Sequence, residues 1–230
     1  MALFLPWEAP LKPCTFLSRR NRFLVETDRG PLHLPNSGRM AELLRPGAPC
    51  LYLPRPTPRT LGRLVLVQSQ GVWVGVDAHR AGRLLELLLQ EGWFGPLEAL
   101  RKEVLILGER LDFLVRFEGS AAPGFAPEDL DRIFEAKNCN RLEGTLALFP
   151  DAPTQRGARH LRLLARFGPL GYAVWFVQHP LAQAFALDPQ DKALYQAAKA
   201  AKKAGVNLLA FLVEPSPAGL RILGPLPFLD

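Results

Sequence analysis

The sequence is poor in cysteine and has no long apolar run, and both absences restrict the class of protein. Its 230 residues include three cysteines, Cys14, Cys50 and Cys139, with no C-x-x-C spacing. An odd number of widely spaced cysteines argues against a disulfide-stapled secreted domain and against a zinc site. No stretch approaches the roughly 18 uninterrupted apolar residues that a membrane-spanning helix needs.

The N-terminus also lacks the features of an export signal. The segment MALFLPWEAPLKP has no basic residues before its apolar part, and Pro6 and Glu8 interrupt that part early. A secretory signal peptide begins with positive charge followed by a longer apolar stretch. We therefore expect a cytoplasmic protein with reduced thiols and no membrane association.

Lysine is scarce, because most of the 28 basic residues are arginine. The net charge of +6 favours an anionic partner such as nucleic acid, although charge alone does not identify one. Hydrophobic residues make up 48% of the chain and charged residues 22%, which is typical of a globular protein. The length allows one large domain or two small ones.

The N-terminal third has the pattern of a small β-barrel. Short strand-forming stretches alternate with turns rich in proline and glycine, at residues 14–27, 32–34, 48–53, 64–68 and 72–76. A single helical turn is predicted over residues 39–44. About five short strands with a helical turn midway predict an OB-like barrel, a fold that commonly binds single-stranded nucleic acid.

Basic and aromatic side chains on this barrel are candidates for nucleic-acid contacts. They are Arg19, Arg20, Arg22 and Phe23 on the first strand, and Asn36 and Arg39 on the following loop. OB barrels combine a basic groove with aromatic stacking, which these residue types would supply. A basic strand face that is merely solvated is the alternative.

A boundary near residues 77–79 predicts domains over residues 1–78 and 79–230. In the second domain, helices are predicted over Arg80–Gln90 and residues 96–101, 155–167 and 191–204. Strands are predicted over residues 104–107, 110–117, 132–138, 173–178 and 206–213. The segment 118–131, rich in glycine and proline, is predicted to be a loop.

The stretch DRIFEAKNC, residues 131–139, has the most distinctive chemistry in the second domain. Side chains of a strand alternate between faces, so Glu135 and Lys137 project to the same side. A carboxylate beside an ammonium suits metal-dependent phosphodiester hydrolysis, in which the carboxylate helps to hold a hard divalent cation. Glu-x-Lys also occurs by chance on exposed strands, so the motif alone does not establish a site.

A second carboxylate precedes this motif on another predicted strand. In RLDFLVRF, Asp112 falls on the face opposite Leu111, Phe113 and Val115. An acid followed by Glu-x-Lys on the next strand is the D…ExK pattern of restriction-endonuclease-like nucleases. Glu103 is a candidate third metal ligand, since a helix-borne acid joins the cluster in many such nucleases; solvated charge is the alternative for it.

The helix predicted after residue 154 carries two polar groups within its apolar arc. Thr154 is the expected N-cap. Arg156 and His160, one turn apart, fall on the inner face and need a partner there. The carboxylate cluster is the nearest expected partner, and a buried structural hydrogen bond is the alternative for His160. Asp151 could cap the same helix or contact the site.

Four segments resemble the bacterial sugar fermentation stimulation protein A family: PNSGRM at residues 35–40, RLDF, FEAKNC, and FPDAPTQRGARHL at residues 149–161. The resemblance runs from about Arg20 to Glu214. It implies an N-terminal OB-like domain, a C-terminal restriction-endonuclease-like PD-(D/E)xK α/β domain and an association with DNA. The sequence departs from the family pattern at Glu109, where a small residue is usual, and at Ala136, where valine is usual.

These features together predict a DNA-binding protein with a divalent-metal-dependent nuclease core. Asp112 and Glu135 would hold Mg²⁺ or Mn²⁺, Lys137 would position the attacking water, and Arg156 and His160 would line the site. The alternative is a DNA-binding transcriptional regulator of sugar metabolism genes with an inactive nuclease fold. RNA as the substrate is a third hypothesis. The sequence does not decide between a monomer and a homo-oligomer.

Overall fold

The structure, a computed structural model, describes residues 3–119 and 132–229. Within these ranges the chain forms seventeen strands and three α-helices, arranged in sheets of six, seven and four strands. Most of the predicted loop over residues 118–131 lies outside the described residues. None of the helices in the described ranges is long and apolar enough to cross a membrane.

The strands in chain order are β1 (Leu3–Pro6), β2 (Lys12–Asn21), β3 (Leu24–Thr27), β4 (Gly30–His33), β5 (Pro49–Pro54), β6 (Gly62–Ser69), β7 (Val72–Gly75), β8 (Leu97–Ile106), β9 (Glu109–Phe117), β10 (Arg132–Cys139), β11 (Leu142–Glu143), β12 (Leu146–Phe149), β13 (Gly171–Val177), β14 (Ala184–Leu187), β15 (Asn207–Ser216), β16 (Gly219–Leu226) and β17 (Phe228–Leu229). The helices are α1 (Arg80–Gln90), α2 (Gln155–Ala165) and α3 (Lys192–Lys203), and a 3₁₀ turn spans Gly168–Leu170.

The first domain is the expected OB barrel. Its strands follow the order β4-β3-β2-β5-β6-β7, and an additional pairing of β4 with β6 closes five of them into a ring. Alternate residues such as Phe16, Val25, Leu32 and Leu64 fill the interior and are almost completely buried. Closure of the sheet protects the edges that an open sheet would expose.

One local prediction in this domain is corrected and a second is confirmed. The single strand predicted over residues 14–27 is a hairpin, in which Arg22 and Phe23 form the turn between β2 and β3. Asn21 stabilises this turn because its Oδ1 accepts a hydrogen bond from the Phe23 N–H at 2.9 Å. The helical turn predicted over residues 39–44 is an isolated turn, closed by hydrogen bonds from Leu43 and Leu44 to the Met40 carbonyl.

The second domain is a mixed α+β unit around a seven-stranded sheet of order β1-β16-β15-β13-β10-β9-β8. The neighbours β10, β13 and β15 run parallel, and the outer strands are antiparallel. Helix α1 packs on one face, and α2 and α3 pack on the other. Since both faces are covered, the central strand β13, GYAVWFV, is apolar along its length.

The edge strand β8 replaces a predicted helix. Residues 96–101 were expected to be helical and residues 104–107 to be a separate strand, but Leu97–Ile106 is one strand paired with β9 over its length. Leu97 and Leu100 pack against the cluster beneath α1, while the charged residues of the strand, Glu98, Arg101, Lys102 and Glu103, are exposed. Pairing with β9 therefore outweighs the weak local helix preference.

The N-terminal strand does not belong to the domain in which the sequence places it. β1 pairs antiparallel with β16 and extends the sheet of the second domain, whereas the predicted first domain begins at residue 1. The chain then crosses to the barrel through Trp7 and Glu8. The Glu8 carboxylate accepts two hydrogen bonds of 2.8 Å from Arg80, which also lies 3.3 Å from Asp77. We call Trp7, Glu8, Asp77 and Arg80 the boundary cluster.

Candidate active site

The two predicted carboxylates lie on neighbouring strands of the large sheet. Phe113 of β9 is directly opposite Phe134 of β10, so the next residues along the two strands are Asp112 and Glu135. Opposed residues of antiparallel strands share a face, which here is the face covered by α2. The Asp112 Oδ2 accepts a hydrogen bond of 2.7 Å from the Ala136 N–H. That bond holds the Asp112 carboxylate beside the start of the Glu-x-Lys motif.

The alternation predicted for β9 needs one correction. Phe113 and Val115 pack beneath α1, as the alternation requires, and Asp112 lies on the other side. Leu111, which was placed with them, packs instead in the cluster beneath α2 and α3. The side on which Asp112 lies is unaffected.

Glu135 is a buried carboxylate with one satisfied and one unsatisfied oxygen. Its Oε1 accepts hydrogen bonds from Lys137 Nζ and from His160 Nδ1, the latter at 2.5 Å. Its Oε2 is buried and has no hydrogen-bond partner. Because an unpaired buried carboxylate oxygen is unfavourable, this atom marks a position for a ligand.

His160 is a residue of α2 and contacts Glu135 with one ring nitrogen and Arg156 with the other. The imidazole is 1% exposed. Its contacts fit the tautomer in which Nδ1 carries the hydrogen, since Nε2 accepts from Arg156 Nε at 3.3 Å. The Glu109 Oε2 lies 3.5 Å from the same Nε2, and Glu109 Oε1 accepts from Arg159 Nε at 2.7 Å. His160 is therefore hydrogen-bonded to one carboxylate, Glu135, and lies close to a second, Glu109.

Glu109 was not identified as a site residue from the sequence. The available signal was its departure from the family pattern, which has a small residue at this position. No local periodicity could link Glu109 to His160, because the two residues are 51 positions apart and meet only when α2 packs on β9. This chain thus carries an acidic neighbour of His160.

The electrostatics of the pair favour a cation. Burial, together with the charge of the neighbouring Glu135, raises the pKa of Asp112 to about 7. Burial also acts to raise the pKa of Glu135, but the Lys137 ammonium and the His160 hydrogen bond hold it below its usual range. Two carboxylates that repel each other in a poorly solvated position are an arrangement that a divalent cation stabilises.

A cleft of about 740 Å³ contains these residues and separates the two domains. Its walls include residues from both of them. The barrel contributes Arg22, Phe23, His33 and Asn36, and the second domain contributes Asp112, Glu135, Lys137, Asn138, Asn140, Arg141 and Arg156. Four of the five predicted catalytic residues and three of the six predicted nucleic-acid-binding residues thus line one cleft. The fifth catalytic candidate, His160, is buried and is not among the lining residues. His33, Asn138, Asn140 and Arg141 are lining residues that the sequence did not single out.

Three of the six candidate contacts on the barrel lie elsewhere. Arg19, Arg20 and Arg39 are not among the residues that line the cleft. Arg19 has a structural role, because its guanidinium donates to the backbone carbonyls of five residues: Asn21, Arg22, Asn36, Gly38 and Arg39. Arg20 forms an ion pair of 2.8 Å with Glu26. Arg22, Phe23 and Asn36 do line the cleft.

Glu103 lies apart from the carboxylate pair. It is on the edge strand β8, not on a helix, and its side chain is 74% exposed with Arg110 at 3.8 Å. It is absent from the cleft lining, so its placement does not suit a ligand shared with Asp112. The strand pairing described above is the reason for this difference.

Arg156 differs from its predicted arrangement, and of the two alternatives for Asp151 the helix cap is wrong, while the residue does line the cleft. The N-cap of α2 is Thr154, whose Oγ1 accepts from the Gly157 N–H at 3.0 Å. Asp151 instead joins the domains, because its Oδ2 accepts from the Met40 N–H of the barrel at 2.6 Å. Arg156 is not buried on the inner face of α2; it is exposed and borders the cleft.

The residues present fit a hard divalent cation. Within the described ranges, no group of three or more His, Cys, Asp or Glu side chains converges as a metal site. Asp112 and the unpaired Oε2 of Glu135 offer two carboxylates, and Mg²⁺ is usually bound by one or two carboxylates together with waters and substrate phosphates. His160 points a hydrogen at Glu135 and is not a ligand.

Comparisons with known proteins agree with this architecture. The family model described as the SfsA N-terminal OB domain matches residues 17–76, and the model described as the sugar fermentation stimulation protein RE domain matches residues 79–219. A solved structure of Pyrococcus furiosus SfsA in complex with Ca²⁺ superposes with a TM-score of 0.85. It is 24% identical, and the match covers 98% of each chain.

Curated relatives are similar over nearly the whole chain. A sugar fermentation stimulation protein homolog of Symbiobacterium thermophilum is 36% identical over 241 residues, which covers 93% of this chain and 92% of the relative. The homolog of Chloroflexus aurantiacus is 34% identical over 228 residues, covering 93% and 84%. With both family models matched in order and the expected two-domain fold in place, the chain belongs to the sugar fermentation stimulation protein (SfsA) family.

Proposed function

We propose that this protein binds DNA and hydrolyses phosphodiester bonds with Mg²⁺ or Mn²⁺ held by Asp112 and Glu135. The observation that carries the proposal is the buried, unpaired Glu135 Oε2 beside Asp112 in a cleft that also contains Lys137. Pyrococcus furiosus SfsA has been solved with Ca²⁺, a cation that takes the same oxygen ligands. This supports a hard-cation site in the present chain.

Lys137, His160 and Arg156 each have a role in such a reaction. Bound there, the cation would lower the pKa of water and offset negative charge on the phosphate. Lys137 is held in place by its hydrogen bond to Glu135 and can orient water or a phosphate oxygen with its remaining hydrogens. His160 holds the Glu135 carboxylate, and Arg156 places a cationic group at the cleft surface.

Binding in the cleft would depend on phosphate contacts. Arg22 of the barrel and Lys137 and Arg156 of the second domain supply positive charge on its opposite walls. Each phosphate that a protein neutralises on duplex DNA adds about −0.9 to the slope of log affinity against log salt, and about −0.7 on a single strand. Affinity for DNA is therefore expected to fall steeply as salt concentration rises.

The test is cleavage of end-labelled single- and double-stranded DNA and RNA with Mg²⁺, Mn²⁺ or EDTA. Wild type is compared with Glu135→Gln, which removes the carboxylate charge without changing its size, and with Lys137→Met. Both substitutions are expected to lower the cleavage rate, for Lys137→Met by roughly 10²- to 10⁴-fold if it assists proton transfer. Calorimetric titration with Mn²⁺ gives a separate readout and should show a loss of binding in Glu135→Gln.

Glu214→Gln is the matched control, since it removes an exposed carboxylate of the same domain outside the cleft. It should cut and bind Mn²⁺ like the wild type. Metal-dependent cutting that survives Glu135→Gln would refute the site. Salt-sensitive DNA binding with no cutting in any metal would favour the alternative, a DNA-binding regulator with an inactive nuclease domain. Cutting of RNA alone would show that the substrate is RNA and not DNA.

A further inference from the structure

Phe23 is an exposed aromatic side chain at the tip of the β2–β3 hairpin, where it borders the cleft. Its side chain is 47% exposed, and its ring lies 6.3 Å from the ring of His33. The His33 Nδ1 is 3.1 Å from the Phe23 carbonyl oxygen, and Asn21 binds the Phe23 N–H. The hairpin tip thus presents a flat apolar surface next to a second ring.

The backbone around Phe23 is restrained from two sides. Arg19 donates to the carbonyls of Arg22 in the hairpin and of Gly38 in the neighbouring loop, both at 2.7 Å. That loop is tied to the second domain, because the Met40 N–H is bound by Asp151. An aromatic ring on a restrained turn costs little conformational entropy when a ligand stacks on it. The backbone that carries the ring is therefore held in place before a planar partner binds.

Phe23 and the carboxylate pair line one cleft, so a ligand can contact both. A cleft of about 740 Å³ is within the size range that encloses small molecules, roughly 300–1,000 Å³, which suits one or a few nucleotides and not a paired helix. The faces of a base in a duplex are covered by its neighbours. A base can stack on Phe23 only after it has been unstacked from the duplex, or where the strand is unpaired.

We infer that the cleft takes unpaired nucleic acid, with one base stacked on Phe23 and a phosphate of the same strand at Lys137. This inference rests on the proposed function and specifies its substrate class as single-stranded segments, whether free strands or unpaired regions within a duplex. Arg22 lies next to Phe23 on the cleft wall and supplies a cation for the strand's backbone. In this arrangement the barrel distinguishes single-stranded from duplex nucleic acid, and the second domain carries the residues for phosphodiester hydrolysis.

The experiment measures binding without metal, so that it does not depend on cutting. Short fluorescent oligonucleotides are titrated in EDTA in three forms: a single strand, a blunt duplex, and a duplex with an internal unpaired loop. Wild type should bind the single strand and the looped duplex more tightly than the blunt duplex. Phe23→Ala should weaken binding of the single strand on the order of 5- to 150-fold, the range expected for loss of one stacked base.

Two further variants keep the result interpretable. Phe23→Trp retains a stacking surface and should restore binding of the single strand. Leu17→Ala truncates another exposed apolar residue of β2, 48% exposed and outside the cleft lining, and should bind like the wild type. Preference for the blunt duplex, or equal affinities of Phe23→Ala and Leu17→Ala, would overturn the inference.

The two proposals fail in different ways. A Phe23-dependent preference for single strands without cutting in any metal would uphold the inference about the cleft and refute the hydrolytic function. Metal-dependent cutting that Glu135→Gln abolishes, with Phe23→Ala binding single strands like the wild type, would uphold the hydrolytic function and refute the inference.

Discussion

Replacement of Arg80 by methionine tests how the chain is held together at the domain boundary. Arg80 is 2% exposed, donates to both oxygens of Glu8 at 2.8 Å, and lies 3.3 Å from Asp77, which is itself completely buried. Its guanidinium also lies 4.8 Å from the centre of the Trp7 ring. Methionine keeps much of the aliphatic volume and removes the charge.

The expected cost follows mainly from Asp77. Loss of one partner from a buried ion pair costs about 3–5 kcal/mol, because the other charge is left without compensation. Arg63 remains 3.7 Å from Asp77, and the His79 N–H still donates to it at 3.0 Å, so we expect the lower end, about 3 kcal/mol. For a chain of this size that corresponds to a fall in Tm of about 6–12 °C.

Thermal unfolding followed by calorimetry provides the measurement, with Arg83→Met as the matched control. Arg83 lies 3.9 Å from the same Glu8 but is 56% exposed, so its loss should cost at most about 1 kcal/mol. Adding Asp77→Asn to Arg80→Met removes the uncompensated charge and should recover part of the Tm. If Arg80→Met melts within about 2 °C of Arg83→Met, the argument from burial is wrong.

Three further predictions concern acid stability, the domain interface and the site. The Arg80 hydrogen bonds lower the pKa of Glu8 from its usual 4.5 to about 2. The contribution of Glu8 to stability is therefore present above pH 4.5 and is lost as the pH falls towards 2. Urea titrations should show that the difference in free energy of unfolding between wild type and Glu8→Gln narrows over that range. A Cβ at Gly75 would lie 2.0 Å from the Gln178 Oε1 of the second domain, so Gly75→Ala should lower stability by about 1–3 kcal/mol. Gly82 is the control, because a Cβ added at this position of α1 would have no atom within 4 Å, and Gly82→Ala should raise stability by about 0.5–1 kcal/mol. Glu109→Ala removes the carboxylate that binds Arg159 of α2 and lies 3.5 Å from His160 Nε2. It should slow metal-dependent cutting by about 10- to 100-fold, and unchanged rates would contradict a positioning role for Glu109.

Local patterns in the sequence were sufficient for several elements of the site. Alternation along β10 places Glu135 and Lys137 on one face, and the structure has both side chains in the same cleft. The bounds of α1 and the capping of α2 by Thr154 also follow from signals within a few residues. These features depend on backbone geometry that nearby residues determine, so a single sequence is enough to predict them.

Other features depend on partners that are distant along the chain. Residues 97–106 form one strand because they pair with β9 over their length. That pairing places Glu103, which was expected between a helix and a strand, on the exposed edge of the sheet. β1 pairs with β16, which is more than 200 residues away along the chain. Asp151 accepts a hydrogen bond from the Met40 N–H of the barrel, and Thr154 caps α2 in its place. Weak local preferences at these positions yield to backbone pairing across the fold.

The sequence by itself determined the residue types and the faces on which they lie: a carboxylate and an ammonium on one strand, an acid on another, and a basic barrel with an exposed aromatic. Only the tertiary structure decided that Phe23, at a hairpin tip, lines the same cleft as those carboxylates, that His160 lies between Glu135 and Glu109, and that Arg19 supports the loop. The physical reason is that periodicity along a strand or helix orients a side chain relative to its own element. The neighbour that it meets is determined by sheet order, register and the packing of two domains across a cleft.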